Sequence, residues 1–326
     1  MILILSHATD AHVAFVRARL ARYRVPVMEI NPADFPSHVR VAARRGAAAS
    51  LGSLTVRGRT IALDRIRAVW WRRPAAPAAP PWVTDAEQRA NIAEVAGLGI
   101  TALWESLRAL WVPAPPSIRA RGNLKFWQLG VAREIGFDVP RTLVTNDPKA
   151  FIAFHANERS RIITKAVSPL ATIDGRRPIM ATHLVERRDL RRVLAVRHEP
   201  VITQGLVSKT QELRVTVVGT RVFAAATRSD RMPTTPIDWR ATRDPVVFEP
   251  CRLPRVVAAR CVRLTRAMGL TFGAIDLILT PEGRYVFLEI NPAGQFGFLP
   301  GLAADIADAL ADLLARAPTS PRSRTT

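Results

Sequence analysis

Cysteine is scarce in this 326-residue chain: Cys251 and Cys261 stand ten apart, with no second pair. That excludes a disulfide framework and a structural zinc site. Long hydrophobic runs are missing as well. No stretch approaches the roughly 18 apolar residues that cross a bilayer. The opening residues 1–7 are too short, and lack the basic lead, for a signal peptide. These absences point to a cytoplasmic protein without a membrane partner. The chain also has no GxxxxGK[ST] loop, and no glycine-rich turn follows its first apolar run, so neither a P-loop nor an opening dinucleotide fingerprint is present.

Lysine is the other shortage. Of 47 basic residues only Lys125, Lys149, Lys165 and Lys209 are lysine; the rest are arginine, and the formal net charge is +20. A charge of that size attracts nucleic acid or an acidic polypeptide. Its even scatter, together with abundant alanine and proline, reads instead as the drift of a GC-rich genome. A compact, rotatable ammonium is not interchangeable with a planar guanidinium, so the surviving lysines draw attention. Hydrophobic residues at 48% and charged ones at 23% are the balance of a folded chain large enough for a sizeable core.

Residues 1–30 read as strand, helix and strand, and 39–71 as short strands turning at Arg57-Gly58. A proline-rich loop at 74–81 precedes Thr84-Asp85-Ala86-Glu87, whose spacing is that of a capping box opening a helix to about Leu107. A second proline cluster at 113–116 marks the domain boundary. A helix is expected over 123–135, closed by Gly136. Strands are expected near 142–144, 161–165, 200–204, 213–218 and 222–226, with a further helix over 253–268. The pattern mixes helices with antiparallel sheets, an α+β arrangement rather than a uniform βαβ series. Domains are expected at 1–115 and 116–316, with a disordered tail over 317–326.

The most informative segment runs from Gly273 to Pro292. Treated as a hairpin turning between Glu282 and Gly283, it pairs residues whose numbers sum to 565. Thr280 then faces Tyr285, Ile278 faces Phe287 and Asp276 faces Glu289, with Asn291 on the face of Glu289. Two carboxylates and an amide at one end of an apolar hairpin repel and suffer desolvation unless a cation lies among them. Such hard oxygen ligands suit magnesium that also holds phosphates. The alternative is a solvated hairpin end holding salt-bridged acids, which the apolar flanking strands disfavour. Without a P-loop, phosphates fall to side-chain cations; among the scarce lysines, Lys125 opens the helix after the boundary and Lys165 ends the strand 161–165, ordinary surface lysine being the alternative.

Asn123-Leu124-Lys125, Ile163-Thr164-Lys165, residues 203–207, residues 212–219 and Asp276 with Glu289-Ile290-Asn291-Pro292 occur in the order of an ATP-grasp ligase, which the chain resembles from residue 1 to about 300. Within that superfamily it resembles the ribosomal peptide maturases that close side-chain ester and amide rings (graspetide or microviridin-type macrocyclases). The tokens for this are Val69-Trp70-Trp71-Arg72-Arg73-Pro74, Asp238-Trp239-Arg240 and residues 287–296.

The resemblance implies an ATP-grasp fold, with nucleotide between two α/β subdomains, behind an N-terminal α/β pre-ATP-grasp domain. It implies that Lys125 and Lys165 contact ATP phosphates, Lys165 also reaching adenine. Gln204, Gly205, Leu206 and Val207 would form the hinge read by adenine, and Glu212 would join the nucleotide site. Asp276, Glu289 and Asn291 would hold magnesium, two ions in all. Arg214 would steer the substrate carboxylate with its bidentate fork. Arg228 and Arg240 would grip acidic peptide side chains, ordinary surface arginine being the alternative. Many relatives carry an acidic residue where this chain has Gly205, which puts a side-chain contact to nucleotide there in doubt. A lid is expected over 168–177.

The implied reaction is ADP-forming ligation: Asp or Glu side chains of a ribosomal precursor peptide become acyl phosphates, which Ser, Thr or Lys attack to close ω-ester or ω-amide rings. The implied partners are that peptide, with its leader and acidic core, and further copies of the chain in a dimer or tetramer. Competing readings are a ligase that adds amino acids to a protein or small acceptor, and a nucleic-acid-binding protein on an ATP-grasp scaffold. The six histidines carry no motif, and Trp70-Trp71 reads as core before it reads as a peptide or dimer surface.

Overall fold

The computed structural model describes residues 1–46, 51–165, 182–227 and 247–318. It opens with β1 (Ile2–Ser6), every residue buried, then α1 (Ala11–Leu20) and β2 (Val27–Ile30). The strands β3 (Val39–Ala43), β4 (Gly52–Val56) and β5 (Arg59–Ala62) form a separate antiparallel sheet that turns at Arg57-Gly58. Then come β6 (Ala68–Arg73), α2 (Ala86–Ser106) and β7 (Leu110–Val112). The main N-terminal sheet runs β2-β1-β6-β7 and is parallel throughout. This is the α/β layer expected for the N-terminal domain: α1 and α2 carry the chain back across the sheet between strands, which makes the neighbours parallel. Asp85 rather than Thr84 caps α2, accepting from the Gln88 amide at 2.8 Å. A carboxylate there satisfies the amide and the helix dipole together.

After α3 (Pro116–Gly122), α4 (Lys125–Ile135) starts two residues later than expected, since Asn123 caps the end of α3. The next sheet has the order β10-β9-β11-β8, built from β8 (Thr142–Thr145), β9 (Ile162–Lys165), β10 (His183–Leu184) and β11 (Val201–Gly205). The helix α5 (Pro148–Asn157) and a 3-10 segment over Asp189–Arg197 cover one face of it, around Phe151, Ile162 and Val185. Sequence reasoning passed over α5. Its signal was Asp147 as N-cap with Pro148 in the first turn.

The largest sheet runs β14-β13-β12-β15-β16, from β12 (Gln211–Val218), β13 (Arg221–Thr227), β14 (Glu249–Pro250), β15 (Phe272–Leu279) and β16 (Tyr285–Asn291). On one face, α4 and α6 (Arg255–Ala267) bury Val215, Cys261, Leu264, Ile275 and Phe287. At its other end Val218, Ala225 and Phe272 share a core with β1, α1 and α7 (Ala303–Ala315). The last helix was also not foreseen, and Ala317, expected in the tail, is buried against it. That shared core ties the N-terminal parallel layer to the large sheet and fixes what each presents to the other.

Candidate functional site

Two local distortions set the geometry of the β15–β16 hairpin. Asp276 does pair with Glu289 and Ala274 with Asn291, but Leu277 pairs with Phe287 and Leu279 with Tyr285. The expected partners Thr280–Tyr285 and Ile278–Phe287 are therefore one residue out. The turn is a three-residue loop, 281–283, with Gly283 at φ +78°, rather than the two-residue one assumed. A bulge at Leu288 then takes up the extra residue, so the register returns to the expected one at the carboxylate end.

Protein cations already attend the two acids. Arg214 on β12 is the direct cross-strand partner of Asp276 and donates to it at 2.7 Å, both side chains being buried. Lys125 Nζ, at the start of α4, is 3.4 Å from Glu289 Oε2. The edge strand β16 is held between these groups by Gln128, which sequence reasoning missed. Its Nε2 donates to the carbonyls of Ile290 (2.9 Å) and Gly122 (2.7 Å), and its Oε1 accepts from the Ile290 amide (3.0 Å). Ile290 lies between Glu289 and Asn291, so this buried amide orients both. The Asn291 Oδ1 accepts from the Ala293 amide at 2.9 Å, turning the chain sharply after the strand.

A cleft lies between the four-stranded β10-β9-β11-β8 sheet and the five-stranded sheet, lined by Ile163, Lys165, Gln204–Val207, Lys209, Glu212, Arg214, Asp276 and Ile278 among others. The side chains of Ile163, Lys165 and Gln204 reach it because they share one face of the smaller sheet, opposite α5. Gly205 faces the other way: a Cβ there would lie 2.6 Å from Glu158 Oε2 on the α5 side. A side chain at 205 would not enter the cleft, which removes the concern raised by its absence. Lys209 is a second residue that sequence reasoning did not assign. It pairs with Glu212, both side chains being largely buried at the cleft.

The cleft holds unfinished polar business. Gln204 is 2% exposed, and its Nε2 donates to Thr142 Oγ1 at 3.0 Å, while its Oε1 is buried without a hydrogen-bond partner. A purine amine entering from the cleft would supply the missing donor. The amides of Gly205 and Leu206 are committed to the carbonyls of Arg141 and Arg161, both at 2.9 Å. A backbone amide that donates to a base edge must therefore come from Val207 onward. At the other end, Asp276, Glu289 and Asn291 offer two carboxylates and an amide oxygen on one face, a donor set that fits magnesium shared with phosphates. No group of three His, Cys, Asp or Glu suited to a metal occurs among the described residues. Here the third oxygen belongs to an asparagine. Arg228, Arg240, the Asp238-Trp239-Arg240 motif and the expected lid over 168–177 lie outside the described residues.

Residues 1–119 match the MvdD pre-ATP grasp domain family. No curated protein sequence matches the chain. Among solved structures, the macrocyclase MdnC from Microcystis aeruginosa MRC, bound with precursor peptide MdnA, is 29% identical, with a TM-score of 0.86 over 98% of this chain and 100% of that one. A Chryseobacterium gregarium RiPP-associated ATP-grasp ligase, in complex with ADP and a leader and core peptide, is 27% identical, with a TM-score of 0.87 over 96% of each chain. The ATP-grasp ligase PsnB, complexed with minimal precursor, Mg and ADP, is 25% identical, with a TM-score of 0.75 over 96% of this chain and 97% of that one. With a cleft of this build behind an MvdD-type domain, the chain has the fold of the ADP-forming ATP-grasp ligases and is similar over nearly its whole length to those associated with ribosomal peptides.

Proposed function

We propose that the enzyme activates Asp or Glu side chains of a ribosomal precursor peptide and closes ω-ester or ω-amide rings with Ser, Thr or Lys of the same peptide. The observation that carries this is Arg214. It is a buried guanidinium at the floor of the cleft, already gripping a carboxylate, beside the Asp276, Glu289 and Asn291 oxygens. Relatives with the same fold hold precursor peptides together with ADP or magnesium.

In this reading the Oε1 of Gln204 accepts from the adenine amine, the backbone at Val207 reads its edge, and Glu212 with Lys209 meets the ribose side. Lys165 and Lys125 neutralise phosphate oxygens, and Asp276, Glu289 and Asn291 hold two magnesium ions, which screen the phosphate charge when bound. Arg214 steers the peptide carboxylate in line with the γ-phosphorus. The carboxylate oxygen attacks phosphorus, and ADP leaves. The hydroxyl or amine then attacks the acyl carbon, which expels phosphate and closes the ring. Arg214 offsets charge on the acyl-phosphate oxygens, and the closed cleft keeps water from the acyl phosphate. Arg228 and Arg240 are proposed to hold further acidic residues of the core. The domain division at 115/116, a homo-oligomeric state and a cytoplasmic setting, where ATP is plentiful, belong to the same proposal.

The test is the intact mass of acidic, Thr- or Lys-containing peptides encoded beside the gene, after co-expression with the enzyme. Loss of whole waters is expected, and D276N and E289Q enzymes should leave the peptide unchanged. Added amino-acid masses would instead assign a tailing ligase, and tight, steeply salt-dependent nucleic-acid binding without ADP release would overturn the enzymatic reading.

A further inference from the structure

The N-terminal layer grips the segment after β16 through one buried cluster. Arg72, at the end of β6, is 2% exposed, and its Nη1 donates to the carbonyls of Ala293 (2.6 Å) and Gly294 (3.2 Å). Its Nε is ion-paired with Asp10 Oδ2 at 3.0 Å. Asp10 caps α1 and, through Oδ1, also bonds the His12 ring at 2.9 Å. His12 Nε2 in turn accepts from the amide of Gly297 at 3.0 Å. With Nε2 accepting, the ring is neutral, and its Nδ1, which lies against Asp10 Oδ1 and 3.2 Å from Arg72 Nη2, carries the proton that it donates to Asp10. Arginine and histidine thus seize the loop 293–297 from one side, by two carbonyls and an amide. From the cleft side, Arg214 Nη2 donates to the Gln295 carbonyl at 3.2 Å.

Ala293 links this clamp to the site. Its carbonyl is held by Arg72, and its amide donates to Asn291 Oδ1. A side chain oxygen two residues away is therefore aimed by a guanidinium from the other layer. Gly294 has no room for adjustment: a Cβ would lie 2.2 Å from Ala274 Cβ and 2.9 Å from Arg214 Nη2.

We propose that Arg72, seated by Asp10 and His12, is a positioning residue that aims Asn291 at the magnesium-phosphate end of the cleft. The pre-ATP-grasp layer is thereby a structural part of the nucleotide site. The inference rests on the assignment of Asn291 as a metal ligand, but not on ring closure. A planar fork that spans a carboxylate and two carbonyls at once cannot be copied by an ammonium, so R72K keeps the charge and loses the clamp.

The experiment is ADP binding to the purified full chain, first in EDTA and then across a magnesium titration, without peptide. For R72K the EDTA affinity should match that of the unaltered chain, while the magnesium concentration giving half-maximal enhancement rises about tenfold. H12A, which frees the Gly297 amide and removes the ring that bonds Asp10 but leaves the Arg72 fork in place, should shift it less and in the same direction. Exchange of the Ala293 amide should accelerate in R72K before any nucleotide is added. An unchanged magnesium midpoint in R72K overturns the proposal, as does an equal loss of affinity with and without magnesium. If R72K gives no cooperative melt, the H12A midpoint decides by the same criterion. Because no peptide is present, a failed ring-closure assay leaves this result standing, and the reverse holds too.

Discussion

At the scale of single residues, Gln128 shows how a neutral side chain can govern a charged site. It supplies to the edge strand β16 the two hydrogen bonds that a neighbouring strand would have made, and adds one to the Gly122 carbonyl. Leucine has a similar volume and none of these groups. Q128L should strand three buried backbone groups at about 1 kcal/mol or more each, so urea unfolding should register a loss of about 3 kcal/mol. A midpoint equal to that of the unaltered chain would remove Gln128 from this account. The Oε1 of Gln204 is the converse case: a buried acceptor left unpaired until a donor arrives in the cleft. Neither glutamine's role is visible in composition or periodicity, because each depends on partners more than 60 positions away in sequence.

At the scale of elements, the β15–β16 hairpin separates folding from function along its length. Its turn carries Gly283 at φ +78°, and a methyl added there would find nothing within 4 Å, so G283A meets backbone strain alone. It should cost about 1 kcal/mol of stability and leave ADP release unchanged. At the far end, G294A drives a methyl into Ala274 and the Arg214 guanidinium. Peptide-dependent ADP release should fall at least tenfold, by more than its thermal midpoint would imply. The reverse ranking of the two variants would contradict the division. The bulge at Leu288 belongs to the same argument: the three-residue turn and the bulge are offsetting displacements, and together they bring Asp276 opposite Glu289.

At the scale of the whole molecule, the clamp between the two layers should make stability depend on pH. Burial, and then the positive charge of Arg72, hold the His12 ring below its usual value, against the pull of Asp10, with Arg73 adding to the repulsion. A histidine that stays neutral when folded but charges when unfolded binds fewer protons in the native state. Stability is then complete above the unfolded value of about 6.5 and falls as pH drops from there toward the folded one. Burial tends to raise the Asp10 carboxyl, but Arg72 and the His12 amide and ring outweigh it and leave it lowered. Its contribution is lost only at lower pH still. Burial lowers the Arg72 guanidinium to about 10, so it remains charged throughout this window. Thermal midpoints without nucleotide should therefore decline on acidification from pH 7 to 5, and H12Q should flatten that decline. An unaltered slope in H12Q would place the sensitivity elsewhere.

Much of the candidate site could be listed from the sequence because its motifs are local. Apart from Lys125, which opens α4, the order of Lys165, residues 203–207, Glu212 with Arg214, and Asp276 with Glu289 and Asn291 is written in or beside short strands, whose period-two alternation places alternate side chains on a common face. Scarcity marked the lysines, and no tertiary information was needed to see that two facing acids require a cation. What only the folded chain decided was non-local. The parallel N-terminal sheet depends on crossover helices. The register of the hairpin depends on a turn and a bulge that sequence spacing does not distinguish from a tight two-residue loop. The cations on Asp276 and Glu289, the amide that grips β16 and the clamp of Arg72 on Ala293 join segments up to 221 positions apart. Such contacts are selected by packing between layers, since a buried polar group must find its partner wherever the core brings one within reach.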